Sequence, residues 1–153
     1  MGKTVYLAGS VDGQNWQYAK EWREQASKEL LQAGYNVIDP TEGRKETDTD
    51  SKDIVERDLK DIEQADILLV EMNCSGMAYI GTAMEVRYAW ERGKEIIVWG
   101  KANRDSHWMR YHTRLWFDTL RDALLYLKEM NRYAAYVQNC WRERRYDGAQ
   151  KLI

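Results

Sequence analysis

The chain of 153 residues holds a single proline, Pro40, one phenylalanine, two cysteines and two histidines. Two cysteines, Cys74 and Cys140, exclude a disulfide framework and a four-cysteine metal cluster, and His107 and His112 offer little imidazole for zinc. No metal site is expected. No apolar run approaches the ~20 residues a bilayer crossing requires, and Met1-Gly2-Lys3-Thr4 enters a strand-like segment directly, without the apolar stretch of a signal peptide. The expected protein is soluble and cytoplasmic, with no membrane contact. Charge of one sign is also missing. A net charge of -2 and a pI near 5.8 give no basic field for gripping a phosphate backbone, so a nucleic-acid polymer is not an expected partner.

What is present is ordinary globular material: 44% hydrophobic residues, 31% charged residues and 10 glycines, which excludes disorder and low complexity. The length suits one domain spanning 1–153. Thr4-Val5-Tyr6-Leu7-Ala8 reads as a strand, stopped by Gly9-Ser10-Val11-Asp12-Gly13. Helical spacing then runs through Trp16, Ala19, Trp22, Ala26 and Leu30 to Gly34. Tyr35-Asn36-Val37-Ile38 is a second strand, and residues 41–52 are an almost wholly polar loop. Asp53 and Glu56 form a capping box for a helix to Ala65, followed by a buried strand, Ile67-Leu68-Leu69-Val70. A helix opened by Gly81-Thr82-Ala83-Met84-Glu85 ends at Gly93. Glu95–Trp99 is the fourth strand and Leu115-Trp116-Phe117 the fifth. A last helical pattern starts at Thr119 and breaks near Asn131. The alternation predicts an α/β fold: one doubly wound, mostly parallel five-stranded sheet with helices on both faces and ligands bound beyond the carboxyl ends of the strands. The site is expected in the loops after strands one, three and four. The basic segment from about 131, with Arg132, Arg142, Arg144, Arg145 and Lys151, reads as helical and as an anion site, a subunit contact or a solvated face.

Three regions hold polar groups that a core does not need. Tyr6 through Gly13 is either an ordinary strand-to-helix turn or a place where a ligand approaches the backbone. Asp58 borders the apolar face of its helix, three residues from Val55 and four from Ile54 and Ile62, and is either a surface charge or an inward carboxylate. Glu85 follows Thr82 by three residues, so it either closes a capping box or serves catalysis, and in either case the helix amino terminus is expected to favour its ionised form and lower its pKa. Two such carboxylates suit covalent catalysis at an anomeric carbon, one attacking and the other moving the proton of the leaving group.

Tyr6-Leu7-Ala8-Gly9-Ser10, Asp53-Ile54-Val55-Glu56-Arg57-Asp58-Leu59 with Ala65–Val70, and Gly81-Thr82-Ala83-Met84-Glu85-Val86 with Tyr88-Ala89 and Gly93-Lys94 together resemble the nucleoside 2-deoxyribosyltransferase family, over roughly residues 3–128. The family's relatives include the 2'-deoxynucleoside 5'-monophosphate N-glycosidases. The resemblance implies a flavodoxin-like strand order, with Glu85 as the nucleophile at C1', Tyr6 bonded to it and Asp58 as general acid/base toward the nucleobase. It implies no metal or organic cofactor, and a 2'-deoxyribonucleoside and a free nucleobase as partners. It also implies a homo-oligomer in which a neighbouring subunit completes the site, making Ser106 and His107 candidates. Gly9, Ser10, Asp12, Tyr79, Gly81 and Thr82 are candidate substrate contacts, and Trp16 the candidate to stack on a base. Tyr79 departs from the carboxylate or serine that relatives carry there, and Asp12 from a basic residue. Asp12 would repel a 5'-phosphate, which favours a nucleoside over a nucleotide substrate. The competing readings are an N-glycoside hydrolase and a non-catalytic nucleotide-binding module. His112 reads as structural.

Overall fold

A computed structural model of the chain describes residues 2–150, with side chains through 140. Five strands, β1 (Thr4–Ala8), β2 (Asn36–Ile38), β3 (Ile67–Glu71), β4 (Glu95–Trp99) and β5 (Leu115–Phe117), form one parallel sheet in the order β2-β1-β3-β4-β5. The helices are α1 (Trp16–Gln32), α2 (Ser51–Gln64), α3 (Ile80–Glu91), α4 (His107–His112) and α5 (Leu120–Gln150). The central strands are apolar almost throughout, as a sheet covered on both faces requires. Val5 and Leu7 pack with Trp22, Ala26 and Leu30 of α1 and Leu124 and Leu127 of α5. Tyr6 and Ala8 face the other way, with Ile62 of α2, Val86 and Ala89 of α3 and Met109 beyond them. The two-residue strand period therefore delivers the Tyr6 side chain to the α2–α3 side.

The sheet is that expected, and the corrections lie at helix ends. The cap of α2 is Asp50, whose Oδ1 accepts from the Asp53 N–H at 3.1 Å, so the helix starts two residues before the Asp53–Glu56 box and residues 51–52 leave the loop. No Thr82–Glu85 capping box exists. The chain enters α3 through Tyr79 in the left-handed region (φ 51°), with no side-chain cap, which places Thr82 buried in the first turn and Glu85 in the second. Helix α5 does not break at Asn131. The Asn131 amide instead donates to Ala33 O at 2.5 Å, tying α5 to the end of α1. Between β4 and β5 the chain forms the short helix α4. Arg132 pairs with Glu129 at 3.2 Å on the surface. The side chains of Arg142, Arg144, Arg145 and Lys151 lie outside the described residues. No described helix is long and apolar enough to cross a membrane.

Candidate active site

Strand order fixes where a cleft can form. The connection from β1 leads to β2 on one side, while β3, β4 and β5 extend to the other, so the loops after β1 and β3 part at their carboxyl ends. A cavity of about 540 Å³ opens there. It is lined by the loop after β1 (Gly9, Ser10, Val11, Asp12), the segment after β2 (Pro40, Arg44), α2 (Ile54, Val55, Asp58, Leu59) and the start of α3 (Tyr79 to Thr82, Met84, Glu85, Tyr88), with Tyr6 and Arg23 beneath. The loop after β4 does not contribute. β2 and β4 flank the parting strands β1 and β3, and of their two loops only the one after β2 folds over the cavity, through Pro40 and Arg44.

Tyr6, Asp58 and Glu85 come together in this cavity from β1, α2 and α3. The Tyr6 hydroxyl, Asp58 Oδ1 and Glu85 Oε2 are each buried without a hydrogen-bond partner. Glu85 sits deep among protein atoms and is reached by solvent only through the cavity, which is why the residue as a whole is half-buried. In place of the lowering expected at a helix start, burial pushes its carboxyl up to about 7; the Asp58 charge adds to this, while Tyr6 as a donor and the Arg23 and Arg44 charges oppose it. The Tyr6 hydroxyl faces Glu85 closely enough to act on it as a donor, yet outside strict hydrogen-bond geometry. Burial pushes Asp58 up to about 6, against the pull of Arg44 and Arg57; the Arg57 Nε lies 3.9 Å from Asp58 Oδ1. Burial likewise raises the Tyr6 phenol well above its ordinary value, reinforced by Glu85 and Asp58, so it stays a donor.

Beneath the loops lies a second carboxylate cluster. Glu71, fully buried at the end of β3, accepts from Ser10 Oγ at 2.7 Å, Ser10 N at 3.3 Å, Asn73 N at 2.7 Å and the Tyr79 hydroxyl. The Tyr79 oxygen also accepts from Cys74 N at 2.9 Å. Tyr79 thus spends its hydroxyl on the scaffold and offers the cavity its ring. Gly9 is required where these elements meet, because a Cβ there would lie 2.9 Å from both Glu71 Cβ and a Trp22 ring carbon.

Of the remaining candidates, Gly9, Ser10, Asp12, Tyr79, Gly81 and Thr82 line the cavity, and Trp16, Ser106 and His107 do not. Trp16 is the first residue of α1. Ser106 caps α4, its Oγ accepting from Met109 N at 3.3 Å, and His107 is exposed beside it. His112 is held structurally, its Nδ1 2.6 Å from Trp108 O and its Nε2 3.2 Å from Arg87 Nη1. Because an arginine can only donate, Nε2 accepts and Nδ1 carries the proton.

Two arginines were not foreseen. Arg23 is 0% exposed and donates to Leu7 O, Ala19 O and Gly9 O at 2.8 to 3.1 Å, holding the β1–α1 turn under the cavity. Its spacing from Ala19, Ala26 and Leu30, by four, three and seven residues, is the sequence signal that marks it as inward-facing. Arg44 lies in a polar segment without periodicity, where nothing distinguishes it. Its Nη2 lies 3.7 Å from Asp12 Oδ1, so the repulsion that Asp12 was expected to exert on an anion is offset by a neighbouring cation.

The nucleoside 2-deoxyribosyltransferase family model matches residues 5–139. Three solved structures share the fold at low identity. The 2-deoxyribosyltransferase of Bacillus psychrosaccharolyticus is 20% identical, with a TM-score of 0.63 over 79% of this chain and 90% of that one. The 2-deoxyribosyltransferase of Leishmania mexicana is 18% identical, with 0.62 over 83% and 97%. The CMP N-glycosidase of Clostridium botulinum is 17% identical, with 0.58 over 86% and 99%. Among curated proteins none matches the sequence.

Proposed function

From the premise that the chain belongs to the nucleoside 2-deoxyribosyltransferase family, we propose that it cleaves the N-glycosidic bond of a 2'-deoxyribonucleoside and transfers the sugar to a second nucleobase. The observation that supports this most is the convergence of Asp58 and Glu85 on one cavity, each with an open buried oxygen. With Asp58 at about 6 and Glu85 at about 7, the pair holds close to one proton between those pH values, resting mainly on Glu85, and the reaction draws on the form in which that proton has passed to Asp58. One carboxylate and one carboxylic acid are what the reaction needs.

In the proposed reaction the Glu85 carboxylate attacks C1' as the bond from C1' to the base nitrogen breaks. The bonding pair leaves with the base, and the Asp58 proton neutralises it. Charge spreads over C1' and the ring oxygen in an oxocarbenium-like transition state. Tyr6, kept protonated, donates toward Glu85 and orients it. A nitrogen of the incoming base then attacks C1', Glu85 is released as carboxylate, and Asp58 takes up the incoming base's proton. No metal or organic cofactor takes part in this scheme.

The test is chromatography of the protein incubated with each 2'-deoxyribonucleoside and each 5'-monophosphate, with and without a different free base. A new nucleoside formed only with the acceptor is the expected result. Free base and free sugar without exchange would make the protein a hydrolase, and no product across the panel would overturn the proposal.

A further inference from the structure

The two arginines at the cavity differ in one respect. Arg23 is fully enclosed and meets three backbone carbonyls. The Arg44 side chain is only 7% exposed, yet among the described residues its guanidinium makes no hydrogen bond. Its ion-pair partner, Asp12, is 98% exposed and 3.7 Å away, beyond hydrogen-bond reach. A guanidinium carries five N–H donors, and those of Arg44 open onto the cavity with no protein acceptor among the described residues in hydrogen-bond reach. The fork lines the cavity, so the acceptor it lacks is one that a ligand would bring.

We propose that Arg44 binds the carbonyl oxygen at C6 of a purine or C4 of a pyrimidine, so that the cavity selects bases with a keto group there over their amino counterparts. This rests on the reaction proposed above, in which Glu85 takes the sugar and Asp58 faces the base. Arg44 enters on the Asp58 side, from the segment that runs into α2. Pro40, Ile54, Val55 and Leu59 there give the cavity an apolar wall suited to a flat ring. Its charge also lowers the Asp58 carboxyl more prominently than any other, while it comes behind Tyr6, Asp58 and Arg23 in its effect on Glu85. A phosphate placed here would meet Asp12, Asp58 and Glu85, while Arg23 spends its donors on backbone carbonyls and leaves Arg44 to bond it. A neutral carbonyl takes the same donors without adding charge. A guanidinium cannot accept, so an amino group at that rim position meets donors and is rejected.

The experiment is calorimetric binding to the Glu85→Gln protein, which keeps the bond intact, with and without Arg44→Met. The ligands are 2'-deoxyinosine against 2'-deoxyadenosine and 2'-deoxyuridine against 2'-deoxycytidine, each with and without a 5'-phosphate. The keto member of at least one pair is expected to bind more tightly, and Arg44→Met to weaken it about 5- to 150-fold while leaving the amino member nearly unchanged. Arg44→Lys, which keeps the charge without the fork, is expected to recover only part of the preference. Equal weakening of both members, weakening confined to the phosphorylated ligands, or binding of none of them would overturn the proposal. Because binding is read without turnover, a wild-type protein that showed the preference but no cleavage would contradict the reaction and not this assignment.

Discussion

Glu85 and Asp58 become unusual by position alone. Their raised pKa values predict a bell-shaped dependence of kcat/KM on pH, with limbs belonging to the pair at about 6 and about 7; an activity unchanged from pH 5 to 9 would contradict it. The same burial has a stability consequence. A carboxyl whose pKa rises from about 4.5 to about 7 on folding binds more protons in the native state across that window, so its contribution falls as pH rises through it and stays lost above. Glu85→Gln removes that term. Thermal unfolding at pH 8 should therefore show the variant more stable than wild type by roughly 2 to 3 kcal/mol, with no gain at pH 4. Asp58 was legible as a carboxylate bordering an apolar stripe, and Tyr6 as the last polar-tipped residue of a strand. The Arg44 enclosure was not, because it depends on how a polar segment folds over a cavity made by other elements.

The elements carry these residues through their ends. Strand bounds followed from short apolar runs between turn residues, and β4 and β5 fall where the pattern puts them. Helix starts were harder. Several residues in Thr41–Asp53 have cap chemistry, and the entry to α3 uses a left-handed tyrosine that no capping rule anticipates. What holds that entry is Glu71, joining the β1–α1 loop through Ser10 to the β3–α3 loop through Tyr79 and Asn73. Its four donors leave no place for an amide NH2. Glu71→Gln should cost about 1 to 3 kcal/mol in denaturant unfolding and lower kcat by letting α3 shift, whereas an unchanged stability would show that the clamp is dispensable. Asn131 teaches the converse lesson. A residue that reads as a helix breaker is retained mid-helix because its side chain bonds a carbonyl of another helix, a long-range contact invisible to local pattern.

For the whole molecule, strand order decides that the β1 and β3 loops part, and alternation along β1 decides which face receives Tyr6. Both were foreseeable, the first from the family resemblance and the second from periodicity. The surface beside the cavity is less ordinary: Ile80, Met84, Trp90, Trp108 and Tyr111 on α3 and α4 are exposed. We propose that a second copy covers this face, so light scattering during size-exclusion chromatography should give a multiple of the 18.1 kDa chain mass; a monomer would contradict it. The central claim is that Glu85 bonds to the sugar. Mass spectrometry of the protein quenched during turnover of a 2'-deoxyribonucleoside tests it most directly. A deoxyribosyl adduct is expected on the peptide containing Glu85 and is expected to be absent from Glu85→Gln. Turnover with no adduct on that peptide, or an active Glu85→Gln, would contradict it.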